Sequence, residues 1–498
     1  MKPVVTAEEM RLSEKKLFES GVDSISVMER AAMHLTETLV QKLGDTQKTC
    51  IFACGAGGNG GDGYAAARLF TKKGGRAIVL EVYPPKNGDS IKNYELAKKT
   101  VFAVSDMNAL ASFPTPDAWV DCVFGTGLIR DVDEKVKAII EKMEEDRKKG
   151  ALILSCDIPS GLNADTGEIM GACVSADVTV TFEWLKRGHL LGEGKNVSGE
   201  IIVHPIGVKE EYLSKDTARL IEKEDIRRCL PKRKKTAHKN EFGHLLVIAG
   251  SLGMAGAGAM CAKAALCSGA GLVTIACAES LVPIYQTLIP EAMCIPLNEE
   301  NGVISDKALD EVLTALKGKS AVAIGPGLGR NASRRVLEAV LKCGLPAVID
   351  ADAINILSDD ETLIQLLNEN HALTPHPGEA ARLIGKLSND PVLNLMKLNK
   401  TGAHALLKGA ATLCLKDKKI LLSASGNSGM AKGGSGDVLT GIIAALICMG
   451  ASVMDALWMG SEIHKIAGDF AKEKYGEYSM LPTDTIRCIK DAYDYILA

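Results

Sequence analysis

Short apolar runs alternate with longer amphipathic stretches along most of this 498-residue chain. Helical spacing covers the opening segment, residues 7–43, and separates most of the apolar runs that follow, as at residues 64–73 and 132–147. Strands that alternate with helices favour a parallel sheet covered by helices. The β-branched runs of the first half predict strands at residues 49–53, 76–82, 118–124, 151–157 and 178–182.

The same alternation begins again in the second half, after a charge-dense stretch between residues 209 and 241. We therefore expect two α/β domains, residues 1–218 and 219–498, with the boundary near residues 218–223. Strands are predicted at residues 243–249, 272–276, 321–324, 347–350, 372–373, 405–407 and 412–415. Helices are predicted at residues 257–270, 438–449, 453–469 and 483–496.

Composition narrows the class of protein. The chain is 46% hydrophobic and 24% charged, as soluble α/β proteins are, and its net charge of −4 argues against a nucleic-acid-binding face. The longest apolar run, residues 441–453, is too short to cross a bilayer, and the amino terminus lacks the apolar core of a signal peptide. Fourteen cysteines without a CxxC pair predict reduced thiols in a cytoplasmic protein and argue against a zinc site.

The loop after the first predicted strand combines glycines with polar side chains. Gly55, Gly57 and Gly60 match the G-x-G-x-x-G dinucleotide fingerprint, which lies between a strand and a helix. Asn59 and Asp62 are not needed by that fingerprint, because it uses only backbone groups. They indicate a loop that also binds its ligand through side chains.

Two later strand ends of the first half are acidic. Ligands of parallel sheets bind beyond the carboxyl ends of the strands, so Asn59, Asp121 and Ser160 are candidate oxygen ligands of a hard cation. Asp157 is a candidate to face a substrate, and Lys186 can add a positive charge. Alternatively, Asp121 and Asp157 serve only as helix caps or turn formers.

A glycine loop in the second half, residues 426–436, leads to Asp437 and then to an apolar run long enough for a buried helix. The backbone N–H groups of such a loop, with the start of the helix, can bind a phosphate. Asp437 can then take a proton from an attacking hydroxyl group. This combination indicates phosphate chemistry.

Four other strand ends of the second half are expected to meet the Asp437 loop in one cleft. His376 is either a ligand contact or a turn histidine bonded to backbone. Asp350 and Asp352 are candidate metal ligands, although Asp350 can equally cap the next helix. Lys408 is either a phosphate clamp or a surface lysine. These strand ends are residues 325–329, 350–355, 374–379 and 408–412.

The first half contains Gly-Gly-Asn-Gly-Gly-Asp-Gly, Asp-x3-Gly-Thr-Gly-Leu, Asp-Ile-Pro-Ser-Gly and Thr-Phe-x3-Lys-x-Gly. Together these four motifs resemble the NAD(P)H-hydrate epimerase family. The resemblance implies K⁺ held by Asn59, Asp121 and Ser160, with Asp157 and Lys186 as acid/base groups that invert C6 of a hydrated nicotinamide ring. The implied substrate-binding residues are Gly58, Asn59, Gly60, Gly61, Asp62, Gly125, Thr126, Gly127, Leu128, Ile129, Arg130, Asp131 and Asp157. The chain departs from the family pattern at Gly58, where an asparagine is usual.

Four motifs of the second half resemble the ADP- or ATP-dependent NAD(P)H-hydrate dehydratase family: Gly-Pro-Gly-Leu-Gly, Asp-Ala-Asp-Ala-Ile-Asn, Thr-Pro-His-Pro-Gly-Glu and Ala-Lys-Gly-Gly-Ser-Gly-Asp-Val-Leu-Thr-Gly. The resemblance implies Asp437 as the catalytic base and ADP or ATP as the co-substrate, which Mg²⁺ can accompany. The implied substrate-binding residues are Ala257, Gly327, His376 and Asp437. The implied nucleotide-binding residues are Lys408, Gly409, Ala410, Ala411, Thr412, Asn427, Gly433, Gly434, Ser435 and Gly436.

Together the two resemblances cover nearly the whole chain. They imply a Rossmann-like three-layer α/β/α domain followed by a ribokinase-like α/β/α domain, in an enzyme that epimerises hydrated NAD(P)H and dehydrates its S form. A homo-oligomer with small-molecule substrates is expected. The main alternative is a small-molecule kinase, because a glycine loop with an aspartate also serves the phosphorylation of alcohols. A further alternative makes the first half a dinucleotide sensor without catalysis.

Overall fold

The computed structural model describes residues 1–110 and 113–498. The chain divides into two compact units. Residues Pro3–Thr217 form the N-terminal unit, and residues Ala218–Ala498 together with Met1–Lys2 form the C-terminal unit. None of the helices within the described ranges is long and apolar enough to span a bilayer.

The N-terminal unit alternates strands and helices from Thr49 onward. Its strands are β1 (Lys2–Val5), β2 (Thr49–Cys54), β3 (Arg76–Glu81), β4 (Phe102–Val104), β5 (Ala118–Cys122), β6 (Leu152–Cys156), β7 (Val178–Phe182), β8 (Leu185–Lys186) and β9 (Glu200–His204). Its helices are α1 (Ala7–Glu19), α2 (Ser24–Leu43), α3 (Gly58–Lys72), α4 (Gly88–Ala97), α5 (Met107–Leu110), α6 (Glu134–Lys148), α7 (Arg187–Leu190) and α8 (Gly194–Val197).

Seven of these strands form one parallel sheet in the order β4-β3-β2-β5-β6-β7-β9. The chain builds the sheet outward from β2 in one direction, then returns to β5 and builds in the other direction. The loops after β2 and β5 therefore diverge and leave a crevice, which is the usual ligand position in an open parallel sheet. The short β8 pairs with β1 in parallel, with Val5 opposite Lys186.

Both faces of this sheet are covered, as its continuous apolar strands require. Along β2, Cys50, Phe52 and Cys54 pack in one cluster with apolar side chains of α1, α2 and α3. Ile51 and Ala53 point to the opposite face, where they pack with apolar side chains of α6. The period of two along the strand thus produces a three-layer α/β/α unit.

The C-terminal unit repeats this plan on a larger scale. Its strands are β10 (Ala218–Leu220), β11 (His244–Ile248), β12 (Leu272–Ala278), β13 (Met293–Leu297), β14 (Glu299–Glu300), β15 (Val303–Ile304), β16 (Ala321–Ile324), β17 (Ala347–Ile349), β18 (His371–Leu373), β19 (His404–Leu407), β20 (Thr412–Lys416) and β21 (Lys419–Ser423). Its helices are α9 (Lys223–Cys229), α10 (Ala255–Cys267), α11 (Val282–Leu288), α12 (Leu309–Ala315), α13 (Arg334–Lys342), α14 (Ala351–Ser358), α15 (Glu361–Ile364), α16 (Pro377–Ile384), α17 (Pro391–Asn399), α18 (Ser435–Cys448), α19 (Val453–Tyr475) and α20 (Pro482–Leu497).

The sheet of this unit runs in the order β13-β12-β11-β16-β17-β18-β19-β20-β21-β10. The strands from β13 to β19 are parallel, whereas β20 is antiparallel to both β19 and β21. The order reverses between β11 and β16, so a second crevice is expected beyond the ends of those strands. A separate antiparallel pair joins β14 to β15.

Helix α18 is the central helix of the C-terminal core. Every residue from Val438 to Cys448 is buried, and the helix packs with α10, α19 and α20 in one apolar cluster. A helix that is apolar all round must be enclosed by other elements. Close approach to α10 requires glycine at Gly441, where a Cβ would lie 2.1 Å from the carbonyl oxygen of Cys261.

Several predicted boundaries are wrong in informative ways. The helix predicted at residues 64–73 begins at Gly58, because the glycine loop itself forms the first turns of α3. The helical segment 7–43 is two helices, interrupted where Gly21 adopts a φ of +96°. The strand predicted at 151–157 ends at Cys156, and Asp157 lies beyond it with a φ of +65°.

Replacement of Gly441 by alanine should destabilise the C-terminal unit. Its methyl group would overpack the contact between α10 and α18, which lowers the free energy of unfolding by about 1–3 kcal/mol. Gly256→Ala on α10 is the control, because a Cβ there meets no atom within 4 Å and alanine favours a helix by up to about 1 kcal/mol. Calorimetric unfolding of the full chain measures both, and an unchanged transition in Gly441→Ala would contradict the contact.

Candidate active sites

A cavity of about 390 Å³ lies at the crevice of the N-terminal sheet. Its wall is formed by α1, by the loops after β2 and β5, and by the region around β8. The sheet topology brings together residues that are far apart in the sequence. The predicted site residues that line the cavity are Gly58, Asn59, Asp62, Gly125, Thr126, Gly127, Leu128, Asp157 and Lys186.

Five predicted substrate residues lie outside the lining of this cavity. Gly60 and Gly61 face the interior of the unit: a Cβ would lie 1.9 Å from a backbone oxygen at Gly60 and 2.7 Å from two side chains at Gly61. Ile129, Arg130 and Asp131 are exposed on the surface that follows the cavity wall. The two glycines therefore serve packing in this structure.

The three predicted cation ligands meet around the backbone of Phe124. The side-chain amide of Asn59 donates to the Phe124 carbonyl oxygen at 2.9 Å. The Ser160 hydroxyl accepts a bond from the Phe124 N–H at 2.8 Å and donates to Asp121 Oδ1 at 2.5 Å. Asn59 Oδ1 is buried and has no hydrogen-bond partner within the described residues.

Asp121 is a fully buried carboxylate inside β5, so it does not cap a helix. Its Oδ2 accepts bonds from the Ser155 hydroxyl at 2.9 Å and from the Ser160 N–H at 2.8 Å. Burial raises the pKa of Asp121, although these hydrogen bonds oppose the rise. No lysine, arginine or histidine of residues 1–110 or 113–498 forms an ion pair with it. A bound cation would compensate this buried charge.

Asp157, which is partly exposed, and the buried Lys186 form an ion pair beside the cavity. The Lys186 ammonium donates to the Asp157 carboxylate, to the Thr181 hydroxyl at 2.9 Å and to the Phe182 carbonyl oxygen at 3.2 Å. Burial alone would raise the pKa of Asp157, but the charge and hydrogen bond of Lys186 outweigh it and hold that pKa below its ordinary value. Asp157 is therefore ionised, and it does not cap a helix.

His189 supports this ion pair from the backbone side. Its Nδ1 accepts a bond from the Lys186 N–H at 3.1 Å, so Nε2 carries the proton and donates to the Asp157 carbonyl oxygen at 2.9 Å. Burial and the positive charge of Lys186 lower the pKa of His189 to about 4, which keeps the ring neutral. The positive φ of Asp157 is thus held by contacts on both its side chain and its backbone.

Glu14 of α1 also lines the cavity, and sequence reasoning did not identify it. Burial raises the pKa of Glu14 to about 7; the negative charge of Asp157 adds to the rise and Lys186 opposes it. In the sequence, Glu14 resembles any charge on the polar face of an amphipathic helix. Only the packing of α1 reveals its position.

In the C-terminal unit, Asp437 lies in the first turn of α18, directly after the glycine loop. Gly434 caps this helix with a φ of +101°, a conformation that favours glycine. Burial raises the pKa of Asp437 to about 7, helped by the negative charge of Asp350 and opposed by Lys408. Asp437 is therefore a base that is ionised above neutral pH.

Lys408 reaches the same place from the end of β19. Its ammonium bonds Asp350 Oδ1 at 2.8 Å, and the Thr440 hydroxyl donates to Asp350 Oδ2 at 2.7 Å. A Cβ at Gly436 would lie 3.1 Å from the Lys408 ammonium, so this lysine is beside the glycine loop. Burial disfavours the charged form of Lys408, but Asp350, Glu379 and Asp437 outweigh it and raise its pKa.

The carboxylates of the next strand end serve structure. Asp350 makes no side-chain capping bond, because both of its oxygens are used by Lys408 and Thr440. Asp352 Oδ2 accepts a bond from the Gly329 N–H at 2.8 Å and so holds the loop after β16. These hydrogen bonds indicate that Asp350 and Asp352 mainly hold the local structure and do not mainly bind a metal.

Two predicted substrate residues are neighbours at the crevice of the C-terminal sheet. A Cβ at Gly327 would lie 3.0 Å from the Cβ of Ala257. His376 caps α16: its Nδ1 accepts bonds from the N–H groups of Gly378 at 2.9 Å and Glu379 at 3.3 Å. This is the turn arrangement of a histidine, and the half-exposed ring still leaves Nε2 near the Glu379 carboxylate at 3.4 Å.

Comparisons with known proteins find matches to both halves of the chain. Residues 245–491 match the family model described as NAD(P)H-hydrate dehydratase, and residues 24–188 match the model described as YjeF-related protein N-terminus. The bifunctional NAD(P)H-hydrate repair enzyme Nnr of Coxiella burnetii is 35% identical over 493 residues, 96% of each chain. The enzyme of that name from Escherichia coli K12 is 32% identical over 446 residues, 87% of this chain and 83% of its own.

This chain belongs to the family of bifunctional NAD(P)H-hydrate repair enzymes. The resemblances inferred from the motifs are confirmed, as are the two-domain α/β architecture and the pairing of an epimerase with a dehydratase. A solved structure, the ADP/ATP-dependent NAD(P)H-hydrate dehydratase of Bacillus subtilis co-crystallised with ATP/Mg²⁺, is similar to part of this chain. It is 25% identical and covers 55% of this chain and 97% of its own, with a TM-score of 0.47.

In this repair enzyme, a buried polar face of α19 holds both predicted nucleotide segments. The Lys465 ammonium donates to the carbonyl oxygens of Ala410 at 2.9 Å and Ser423 at 2.7 Å. Asp469 accepts bonds from the Gly426 N–H at 2.9 Å and from the Asn427 side-chain amide at 2.8 Å. The Asn427 side chain therefore positions the loop.

The other residues of the two segments differ in exposure. Gly409 and Ala410 are exposed at the turn between β19 and β20, and Gly433 is exposed in the glycine loop. Ala411 directly precedes β20 and Thr412 begins it, and both residues are buried. Gly434, Ser435 and Gly436 lead into α18.

Replacement of Lys465 by methionine should raise the KM for the nucleotide about tenfold while changing kcat less, because misplaced binding segments weaken ground-state binding. Steady-state dehydration at varied ADP and ATP measures this. Lys474→Met, on an exposed part of α19, is the matched control. Epimerase activity of the same chain reports folding, and an unchanged KM in Lys465→Met would contradict the positioning role.

Proposed function

We propose that Asp437 is the general base that starts dehydration of the S form of hydrated NAD(P)H. The observation that carries this assignment is the position of Asp437, a carboxylate with a pKa of about 7 in the first turn of α18 and beside Lys408. The N–H groups of a first helical turn lack partners within the helix, so they can bind the terminal phosphate of a nucleotide. Asp437 and the terminal phosphate of the nucleotide would then lie next to each other.

The proposed reaction uses this proximity in two stages. Asp437 takes the proton of the C6 hydroxyl group, whose oxygen attacks the terminal phosphorus of ADP or ATP and displaces AMP or ADP. The C6–O bond then breaks with release of phosphate, assisted by the lone pair of the ring nitrogen N1. Loss of a proton from C5 restores the C5–C6 double bond of NAD(P)H. Hydroxide, a poor leaving group, is thereby replaced by phosphate.

The nucleotide would lie between two segments of the C-terminal unit. Lys408, Gly409, Ala410, Ala411 and Thr412 form one side, and Gly433, Gly434, Ser435 and Gly436 form the other. Lys408 and the N–H groups of Gly433–Gly436 would stabilise negative charge on the transferred phosphoryl group. Mg²⁺ would enter with the nucleotide, held chiefly by its phosphates. Gly327, Ala257 and His376 would contact the dinucleotide substrate.

We assign the exchange of the R and S epimers to the N-terminal cavity, with the ionised Asp157 beside C6 of the hydrated ring. Lys186 holds Asp157 in its charged form and spends its three N–H donors on fixed partners, so its role is positioning. A Cβ at Gly58 meets no atom within 4 Å, so this position has room for the asparagine that is usual there. The glycine therefore leaves the cavity wall intact.

The residues around Phe124 fit a monovalent cation. Among the described residues, the buried Asn59 Oδ1 has no hydrogen-bond partner, and the buried carboxylate of Asp121 forms no ion pair with a basic side chain. With the Ser160 hydroxyl, these are the oxygen ligands that a hard cation prefers. K⁺ held by Asn59, Asp121 and Ser160 would supply positive charge that fixes the loops after β2 and β5 around the substrate.

Asp437→Asn should reduce dehydration by about 10²–10⁴-fold, the usual contribution of a general base, and should leave epimer exchange intact. In the wild-type enzyme, dehydration should increase as the pH rises through about 7, since Asp437 becomes ionised. Recovery of dihydronicotinamide absorbance with release of phosphate measures both effects. A stable phosphorylated product would instead favour the kinase alternative, and near-normal turnover in Asp437→Asn would reject the base.

K⁺ should stabilise the N-terminal unit by mass action. Each kcal/mol raises the Tm of a unit of this size by about 2–4 °C, so KCl should raise the Tm of wild-type protein relative to choline chloride of equal ionic strength. Asn59→Ala removes one ligand and should abolish this rise. Thermal unfolding monitored by calorimetry measures it without substrate. An equal rise in both proteins would place the effect of K⁺ elsewhere.

A further inference from the structure

Helix α1 places Glu14 on the wall of the epimerase cavity, together with Met10 one turn earlier. The helix is firmly attached to the N-terminal unit. The Ala7 N–H donates to Asp165 Oδ1 at 2.7 Å, and the Lys16 ammonium donates to the Tyr212 carbonyl oxygen at 2.7 Å. Glu14 therefore reaches the cavity from a rigid element, as a catalytic group requires.

The charged groups that face Glu14 come from several other elements. Asp157 follows β6 and is ionised, and Lys186 at the end of β8 is its partner. Asp62 belongs to α3, and burial, followed by the charges of Asp157 and Glu14, raises its pKa well above the ordinary value. His189 of α7 is neutral. The cavity thus contains one ionised carboxylate and two carboxyl groups that hold a proton more strongly than usual.

If water leaves C6 from one face and adds to the other, inversion needs a proton donor on the first face and a proton acceptor on the second. Pairs of carboxyl groups whose environments push their pKa values apart supply these two functions in other enzymes. Lys186 is a poor donor, because its N–H groups are bonded to Asp157, Thr181 and Phe182. The ionised Asp157 can accept a proton. Inversion therefore also requires a proton donor on a different part of the cavity wall from Asp157.

We propose that Glu14 is the general acid of the epimerase, acting opposite Asp157 across the hydrated ring. This inference rests on the proposed epimerase function of the cavity. Glu14 donates its proton to the C6 hydroxyl group, the C6–O bond breaks, and water departs with the electron pair of that bond. The N1 lone pair forms a C6=N1 double bond. Water then adds to the opposite face of C6, Asp157 takes its proton, and the electron pair returns to N1.

One proton leaves Glu14 and one reaches Asp157 in each inversion, and one water molecule departs while another adds. The reverse inversion exchanges the roles of the two carboxyl groups, so either epimer can be converted. Proton exchange with solvent resets the pair between turnovers. Asp62 begins the helix behind the glycine loop and is the other carboxyl group with a raised pKa, which makes it the comparison residue.

The test uses the full chain without added nucleotide, so that dehydration is silent, and follows the two epimers of hydrated NADH by chromatography against an enzyme-free blank. Glu14→Gln should lower epimerisation by about 10²–10⁴-fold with a KM within about threefold. Glu19→Gln, on an exposed part of α1, should match the wild type. Dehydration of the S epimer, measured afterwards with ADP, confirms that each variant is folded.

The pH dependence separates a proton donor from a structural residue. The wild-type rate should fall as the pH rises through about 7, since Glu14 loses its proton there. The residual rate of Glu14→Gln should lack this fall, whereas Asp62→Asn should retain it. Retention of the fall in Glu14→Gln, or its loss only in Asp62→Asn, would overturn the assignment of Glu14.

Isotope labelling tests the bond that breaks. In H₂¹⁸O, each inversion should place one solvent oxygen on C6, because the original hydroxyl group leaves as water. Retention of the original oxygen would show that the C6–N1 bond opens instead, and it would overturn the proposed role of Glu14. Absence of epimer exchange in the wild type would overturn the epimerase function itself, whereas normal exchange in Glu14→Gln would overturn only the acid.

Discussion

A lysine paired with one of two neighbouring carboxyl groups is the interaction on which both sites depend. In the N-terminal unit, Lys186 pairs with Asp157 and leaves Glu14 with a pKa of about 7. In the C-terminal unit, Lys408 pairs with Asp350 and leaves Asp437 with a pKa of about 7. A charge is costly in a low-dielectric interior unless it is compensated. One lysine compensates one carboxylate, and the second carboxyl group remains poised between its two protonation states.

The two units reach this arrangement through the same topological device. Each has an open sheet, parallel in the N-terminal unit and mostly parallel in the C-terminal unit. The strand order reverses next to the first long parallel strand, β2 in one and β11 in the other. Glycine-bearing loops follow the strands on both sides of the reversal, and the chemistry-bearing side chains come from several loops. The N-terminal unit keeps its site close to the reversal. In the C-terminal unit, the base comes from a later helix, α18, whose first turn faces the ends of β17 and β19 through Asp350 and Lys408.

The sequence predicted the alternation of elements, most central strands and the loops that form each site, because buried strands and glycine-rich strand ends leave strong local patterns. It did not predict β4 or β9, which are partly exposed. It also did not predict the buried β21, which follows β20 after only two residues. Glu14 and Lys465 were missed because a charged residue on a helix looks the same whether it faces solvent or a cavity. Lys186 was predicted as an acid/base group from its motif, whereas we propose a positioning role, because its ammonium donates to three fixed partners. Whether all N–H groups of a lysine are hydrogen-bonded depends on residues far apart in the sequence, and no local sequence pattern shows this.

The glycine loop after β2 is constrained both by the packing of the fold and by the lining of the cavity. Gly60 and Gly61 keep α3 close to its neighbours, since any side chain would collide with packed atoms. Gly58, Asn59 and Asp62 face the cavity instead. A lineage that lost epimerisation but kept its fold would therefore retain Gly60 and Gly61, whereas Gly58, Asn59 and Asp62 would be free to change. In a distant descendant, conserved glycines would then indicate only that the fold is inherited. Conservation of the asparagine and the aspartate would indicate whether the epimerase chemistry is retained.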